Sequence, residues 1–337
     1  MAKFLITLPG RADGGRGARP DFPGFVTDLR QAFGPFDHLA QIGRAVEIAA
    51  FHGALVPFDP EGEESLVVTA GLLRQSRRLR AVAGFHPGIA TPVYAAKVSA
   101  SLQRFSGDRL DWRLVVDLDP AVARAQGDFL EGADRYARAE EFLTVAKGVW
   151  SEEGYTYEGR FYQVLAGGFQ SPLAGRPFPR IHLSGTSKEA LELSARHADV
   201  HVFDPEDDIE AARLPGVAYG LRLPVLARDD DGEAWEAARR LWVRGGGTAQ
   251  TLPDPDPRTR LWPGFAPSGW AGALRPGSGS FRAGLVGSFE TVAAGIRDYI
   301  DRGVGVFFLE AAPYIEETYR LGERLLPLLA KETTHVR

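Results

Sequence analysis

Short apolar runs alternate with segments of helical spacing along nearly the whole chain, and this alternation restricts the fold more than any other feature. The apolar runs fall at 4–8 (FLITL), 53–58 (GALVPF), 79–85 (LRAVAGF), 112–117 (WRLVVD), 181–183 (IHL), 200–203 (VHVF), 216–227 and 304–310 (VGVFFLE). Segments with apolar residues three and four apart lie at 36–51, 65–75, 91–105, 134–150, 190–197, 233–242, 289–303 and 315–329. Several strand runs are apolar on both faces, as strands of a doubly covered parallel sheet are. Eight strand–helix units in alternation predict a (β/α)8 TIM barrel with insertions. The competing open doubly wound sheet is disfavoured because no GxGxxG follows the first strand. Two stretches interrupt the pattern. Residues 155–164 alternate apolar and polar around Glu158-Gly159-Arg160, which predicts an inserted hairpin. Residues 244–282 are rich in Gly and Pro without periodicity, and read as an insertion or lid within a single barrel domain over 1–337. Residues 10–35, rich in Gly, Arg, Asp and Pro, read as a long loop.

Composition narrows the function classes. The 337 residues carry a net charge of −5, with no basic stripe for nucleic acid. There is no cysteine, so disulfides, thiolate catalysis and cysteine metal sites are excluded. The seven histidines are scattered, which predicts no metal site. No apolar run approaches the ~20 residues of a membrane span, and the N-terminus MAKFLITLPG reads as a first strand rather than a signal. A cytoplasmic location is the expectation.

In such barrels the active site lies at the C-terminal ends of the strands. Here those ends carry Phe58, Asp59, Phe85, His86, Asp117, Asp119, Ser184 to Ser187, Asp204, Arg222 and Glu310. The stretch RIHLSGTSKEALELSARHADV (180–200) joins a buried run to a helix through Ser184-Gly185-Thr186-Ser187. Small residues admit close backbone approach, and the helix start leaves N–H groups unpaired, so the turn reads as a cradle for a phosphate. The bland alternative is an ordinary strand–turn–helix joint. Arg222 is a charge within an apolar strand, which predicts a pocket-facing or ion-paired side chain suited to a carboxylate or sulfonate. His86, before Pro87, is read either as a turn cap or as a site group. Tyr136, at a helix start, is read either as packing or as a phosphate ligand.

Four segments, 109–120 (RLDWRLVVDLDP), 134–164 (DRYARAEEFLTVAKGVWSEEGYTYEGRFYQV), 179–203 (PRIHLSGTSKEALELSARHADVHVF) and 284–329, resemble the bacterial-luciferase-like flavin monooxygenases, most closely the two-component alkanesulfonate monooxygenase group. The resemblance implies a (β/α)8 barrel that takes reduced FMN from a separate NAD(P)H:flavin reductase and uses it with oxygen on a small-molecule substrate, commonly as a homodimer or homotetramer. It places the FMN phosphate at Tyr136, Gly185, Thr186 and Ser187 and matches Arg222 to an active-site arginine; the strand ends then put the flavin ring near Phe58, Phe85 and Val116, with His86 as a second catalytic candidate. The chain departs from the group at Pro224, where a histidine is usual, at Ala312 (tyrosine), at Val116 (threonine or histidine) and at Asp117 (glycine). Sulfonate cleavage is therefore not expected. The alternatives are a deazaflavin-dependent oxidoreductase and a non-catalytic flavin-binding homologue.

Overall fold

The computed structural model describes residues 2–10, 35–212, 214–244, 247–265, 282–312 and 314–330. In chain order the elements begin β1 (Lys3–Thr7), α1 (Pro35–Ile48), β2 (Gly53–Val56), α2 (Ser65–Gln75), β3 (Arg80–Phe85), α3 (Pro92–Ser106), β4 (Leu110–Leu114), α4 (Pro120–Ala125) and α5 (Ala133–Ser151). They continue through β5 (Tyr155–Glu158), β6 (Gln163–Gly167), β7 (Arg180–Ser184), α6 (Lys188–His197), β8 (Val200–Phe203), β9 (Ala218–Arg228) and α7 (Asp231–Arg244). The chain then forms β10 (Trp262–Phe265), β11 (Arg282–Ser288), α8 (Phe289–Asp301), β12 (Val304–Glu310), α9 (Tyr314–Arg320) and α10 (Leu326–Ala330).

Strands β1, β2, β3, β4, β7, β8, β9 and β12 pair in that order, all in parallel, and β12 returns to β1 with Phe307 opposite Phe4. The ring is closed, so the expected (β/α)8 barrel is the observed one. Side-chain alternation divides its two faces. Leu5, Leu55, Val82, Val200, Val202, Val306 and Phe308 fill the interior. The opposite parity packs outward. Leu110, Trp112 and Leu114 of β4 meet Ala139, Phe142 and Ala146 of α5. Trp112 is fully buried, stands edge-on to Phe85 at 5.1 Å, and donates its indole N–H to Ser99 Oγ at 2.8 Å. Parity also sends Asp111 and Arg113 inward, two charges inside a barrel.

Helix ends follow their sequence signals. Thr91 caps α3, with Pro92 in its first turn and Gly107 left-handed at its end. Ser187 caps α6 by accepting from Ala190 N at 3.2 Å. The expected hairpin is β5–β6, and it packs back on α5 at Gly148, where a Cβ would fall 2.1 Å from the Tyr155 ring. The described part of the stretch 244–282 carries a strand that the sequence did not reveal. Within it β10 pairs antiparallel with β11, and β11 pairs in parallel with the end of β9, Leu285 opposite Val225. Trp262 is fully buried there against Leu226, Ala234, Ala238 and Val286. Residues 266–281, and residues 11–34 of the long loop, lie outside the described residues. No described helix is long and apolar enough to cross a membrane.

Candidate active site at the C-terminal mouth of the barrel

Arg222 sits on β9 beside the loop after β8, and the two positions meet. Its Nε and Nη2 donate to the Asp204 carboxylate at 2.9 and 2.7 Å, a bidentate pair. Arg282, at the start of β11, donates to Asp204 at 3.1 Å and makes a second ion pair with Glu310 at the end of β12. Burial alone would raise the Asp204 carboxyl, but Arg222 and Arg282 outweigh it and hold it below its ordinary value. Arg113, facing inward on β4, is the third guanidinium. It is buried, its Nη2 lies 3.4 Å from Ser184 Oγ, and its Nη1 has no hydrogen-bond partner among the described residues. Burial, then repulsion from Arg222 and Arg282, brings its pKa down to about 9. The three guanidiniums share the mouth with the carboxylates of Asp204, Glu310 and Asp207, and Arg113 Nη1 is a buried donor without a partner among the described residues. Sequence reasoning found Arg222 and missed Arg113 and Arg282. Arg113 carried the same signal, a charge inside an apolar strand, whereas Arg282 lay in a stretch with no readable periodicity.

The β7–α6 turn has the backbone of a phosphate cradle. Gly185 is left-handed, with φ +113°, and a Cβ there would fall 2.9 Å from Ala190 Cβ. The same position is 3.2 Å from Asp117 Oδ2 and 3.6 Å from Tyr136 Oη. Thus Tyr136, Gly185 and Ser187 do converge, with Thr186 exposed beside them. The charge, however, is wrong for a phosphate. Tyr136 donates a short hydrogen bond to Asp117, and Ser187 Oγ lies 3.4 Å from Tyr136 Oη. Burial, then the Asp117 carboxylate, push the Tyr136 phenol upward. The Asp117 carboxylate thus lies beside the Gly185 turn, where it would meet a phosphate as a like charge.

Three expected site residues point elsewhere. Phe85 is buried between the barrel wall and the helices, against Trp112 and Phe142, because it shares the parity of Ala81 and Ala83. Val116 continues the outward parity of Trp112 and Leu114 and lies in the same layer. Neither faces the mouth. His86 is sequestered too. Its Nδ1 lies 2.7 Å from Val115 O and its Nε2 2.6 Å from Asp128 Oδ2, while Arg138 grips the same carboxylate at 2.8 and 2.6 Å. With its side chain 1% exposed, His86 braces the loop after β4 through Val115 O. Phe58 alone of the expected ring contacts keeps a half-buried ring near the mouth, 6.4 Å from the His86 ring.

A family model for luciferase-like monooxygenases matches residues 2–305. The chain belongs to the luciferase-like monooxygenase family. This places it among flavin-dependent monooxygenases and oxidoreductases, without singling out the sulfonate-cleaving group within the luciferase-like family. The fold likeness is broad. The EDTA monooxygenase of Chelativorans sp. BNC1 superposes with a TM-score of 0.72 at 15% identity, covering 97% of this chain and 93% of that one. The oxygenating constituent of 3,6-diketocamphane monooxygenase from Pseudomonas putida, solved with FMN, gives 0.67 at 16% identity, covering 98% of both chains. The coenzyme F420-dependent tetrahydromethanopterin reductase of Methanopyrus kandleri, another barrel of this kind, gives 0.69 at 14% identity, covering 97% of this chain and 99% of that one.

Proposed function

We propose that this luciferase-like chain is a monooxygenase that takes a reduced flavin from a separate NAD(P)H:flavin reductase and oxidises a small, anionic organic substrate with oxygen. The observation that supports this reading is the meeting, at one end of the barrel, of a glycine-opened turn and the Arg222–Asp204–Arg282 cluster. Phe58 would hold the flavin ring at the mouth, and Gly185, Thr186 and Ser187 beside Tyr136 would hold its tail. The reduced flavin supplies the electron pair for oxygen activation, and the protein supplies binding, orientation and exclusion of water. Arg222, fixed by Asp204 and partly exposed, is the guanidinium offered to the substrate's anionic group. FMN is the cofactor the resemblance implies. The Asp117 carboxylate argues against its phosphate, and no step here depends on it.

Anaerobic titration with reduced flavin, followed by rapid mixing with oxygen, tests the proposal. Saturable binding and an oxygen reaction that differs in rate and spectrum from free reduced flavin are expected. The absence of both overturns it. A second reading, hydride transfer with a deazaflavin, is favoured by the likeness to the F420-dependent reductase. Preferential binding of the deazaflavin in the same titration selects that reading instead.

A further inference from the structure

Asp117 is held in the turn by more than its bond to Tyr136. The carbonyls on either side of it are anchored. Val115 O contacts His86 Nδ1 at 2.7 Å, and Leu118 O accepts from Arg135 Nη1 at 2.7 Å. His86 is in turn held by Asp128, and Arg135 also donates to Leu130 O at 2.7 Å. The loop that carries the carboxylate is therefore braced by two buried side chains of the barrel end. Among the described residues no lysine or arginine pairs with Asp117. Lys188, nearest the turn in sequence, is 3.7 Å from Glu192. Glu189, in the first turn of α6, adds a second negative charge felt by Tyr136.

We propose that Asp117, an exposed carboxylate at this turn, tunes it to an uncharged flavin tail, one that ends in the ribityl hydroxyl of riboflavin rather than in a phosphate dianion. A terminal hydroxyl can donate to the Asp117 carboxylate and accept from Ser187 Oγ or the turn N–H groups, so both sides of the pocket are satisfied. A phosphate dianion has acceptors only, so it adds no donor to the carboxylate beyond Tyr136 and meets it as a like charge. At contact distance in a partly solvated pocket that repulsion weakens FMN about tenfold. The inference rests on the flavin reading above but concerns only the tail.

Fluorescence titration of the full-length protein with riboflavin and with FMN, each oxidised and reduced, tests it alongside Asp117→Asn. The asparagine keeps the shape and an acceptor for Tyr136 while removing the charge. The expected result is that the wild type binds riboflavin at least as tightly as FMN. Asp117→Asn should tighten FMN about tenfold while riboflavin moves by less than about threefold. A wild type that prefers FMN tenfold or more overturns the inference and leaves the flavin reading intact, as does a variant that shifts both flavins equally. If neither flavin binds, the flavin reading fails and the inference falls with it.

Discussion

Replacing Asp128 by Asn attacks the buried brace behind the mouth. The Asp128 carboxylate accepts from Arg138 Nη1 and Nη2 at 2.8 and 2.6 Å and from Leu130 N at 3.1 Å, and contacts His86 Nε2 at 2.6 Å. The Asp128 side chain is 3% exposed and that of Arg138 10%, so water cannot replace the lost charge. Removing one partner of such a buried pair costs about 3–5 kcal/mol, because the guanidinium stays buried without its counter-charge. With an m-value of about 3 kcal/mol/M, the urea midpoint should fall by roughly 1–1.7 M at pH 7. The pH dependence has a definite sign. Burial acts to raise the Asp128 carboxyl, but the bonds to Arg138 and His86 outweigh it and hold it below its ordinary value. Its contribution is therefore complete above the unfolded carboxyl pKa of about 3.9 and is lost as pH falls below that. Urea titrations of both proteins at pH 7, 5 and 3 should show a gap that is constant from pH 7 to 5 and narrower at pH 3. A gap under about 1 kcal/mol at pH 7, or one that widens in acid, refutes the reasoning.

Four further outcomes are expected. Arg222→Lys keeps the charge but loses the two-point grip on Asp204, so kcat/KM for an anionic substrate should fall about tenfold or more while the flavin Kd is unchanged; steady-state kinetics with a parallel flavin titration checks both. Burial, then Arg113, lower the His201 pKa to about 4, so the unfolded chain takes up a proton first and stability drains away as pH falls from about 6.5 toward 4. His201→Leu should flatten that part of a stability–pH curve. Trp262→Ala should cost about 3–5 kcal/mol in a denaturant titration, since the ring is fully buried in the cluster on the other face of β9 and β11. Gly185→Ala should lower stability by about 1–3 kcal/mol and weaken flavin binding, because a Cβ at φ +113° meets Ala190 at 2.9 Å.

The barrel was legible because each of its strands is a short apolar run between helical segments, a local property. Strands β10 and β11 were not, since Trp262-Pro263-Gly264-Phe265 contains the residues that usually mark loops, and its partner begins only at Arg282. In the site, Arg222 stood out as a charge within an apolar strand. Phe85 and Val116 lie at the correct end of the correct strands, but which face a residue presents depends on parity, and the strand-end rule alone does not supply it. Counting back to Ala83 and Leu114 would have turned both outward. His86 was ambiguous for a different reason: its partners Asp128 and Arg138 lie 42 and 52 residues away, on the loop after α4 and on α5. Asp117 was visible as a departure, but its meeting with Gly185 and Tyr136 depends on a loop braced from the barrel end.

The account stands most directly on where a flavin binds. A crystal structure of the protein soaked with flavin should show the ring at the C-terminal mouth beside Phe58 and Arg222, with its ribityl end on the Gly185 to Ser187 turn. Density at any other place on the barrel, or none at a flavin concentration that saturates binding in solution, contradicts it.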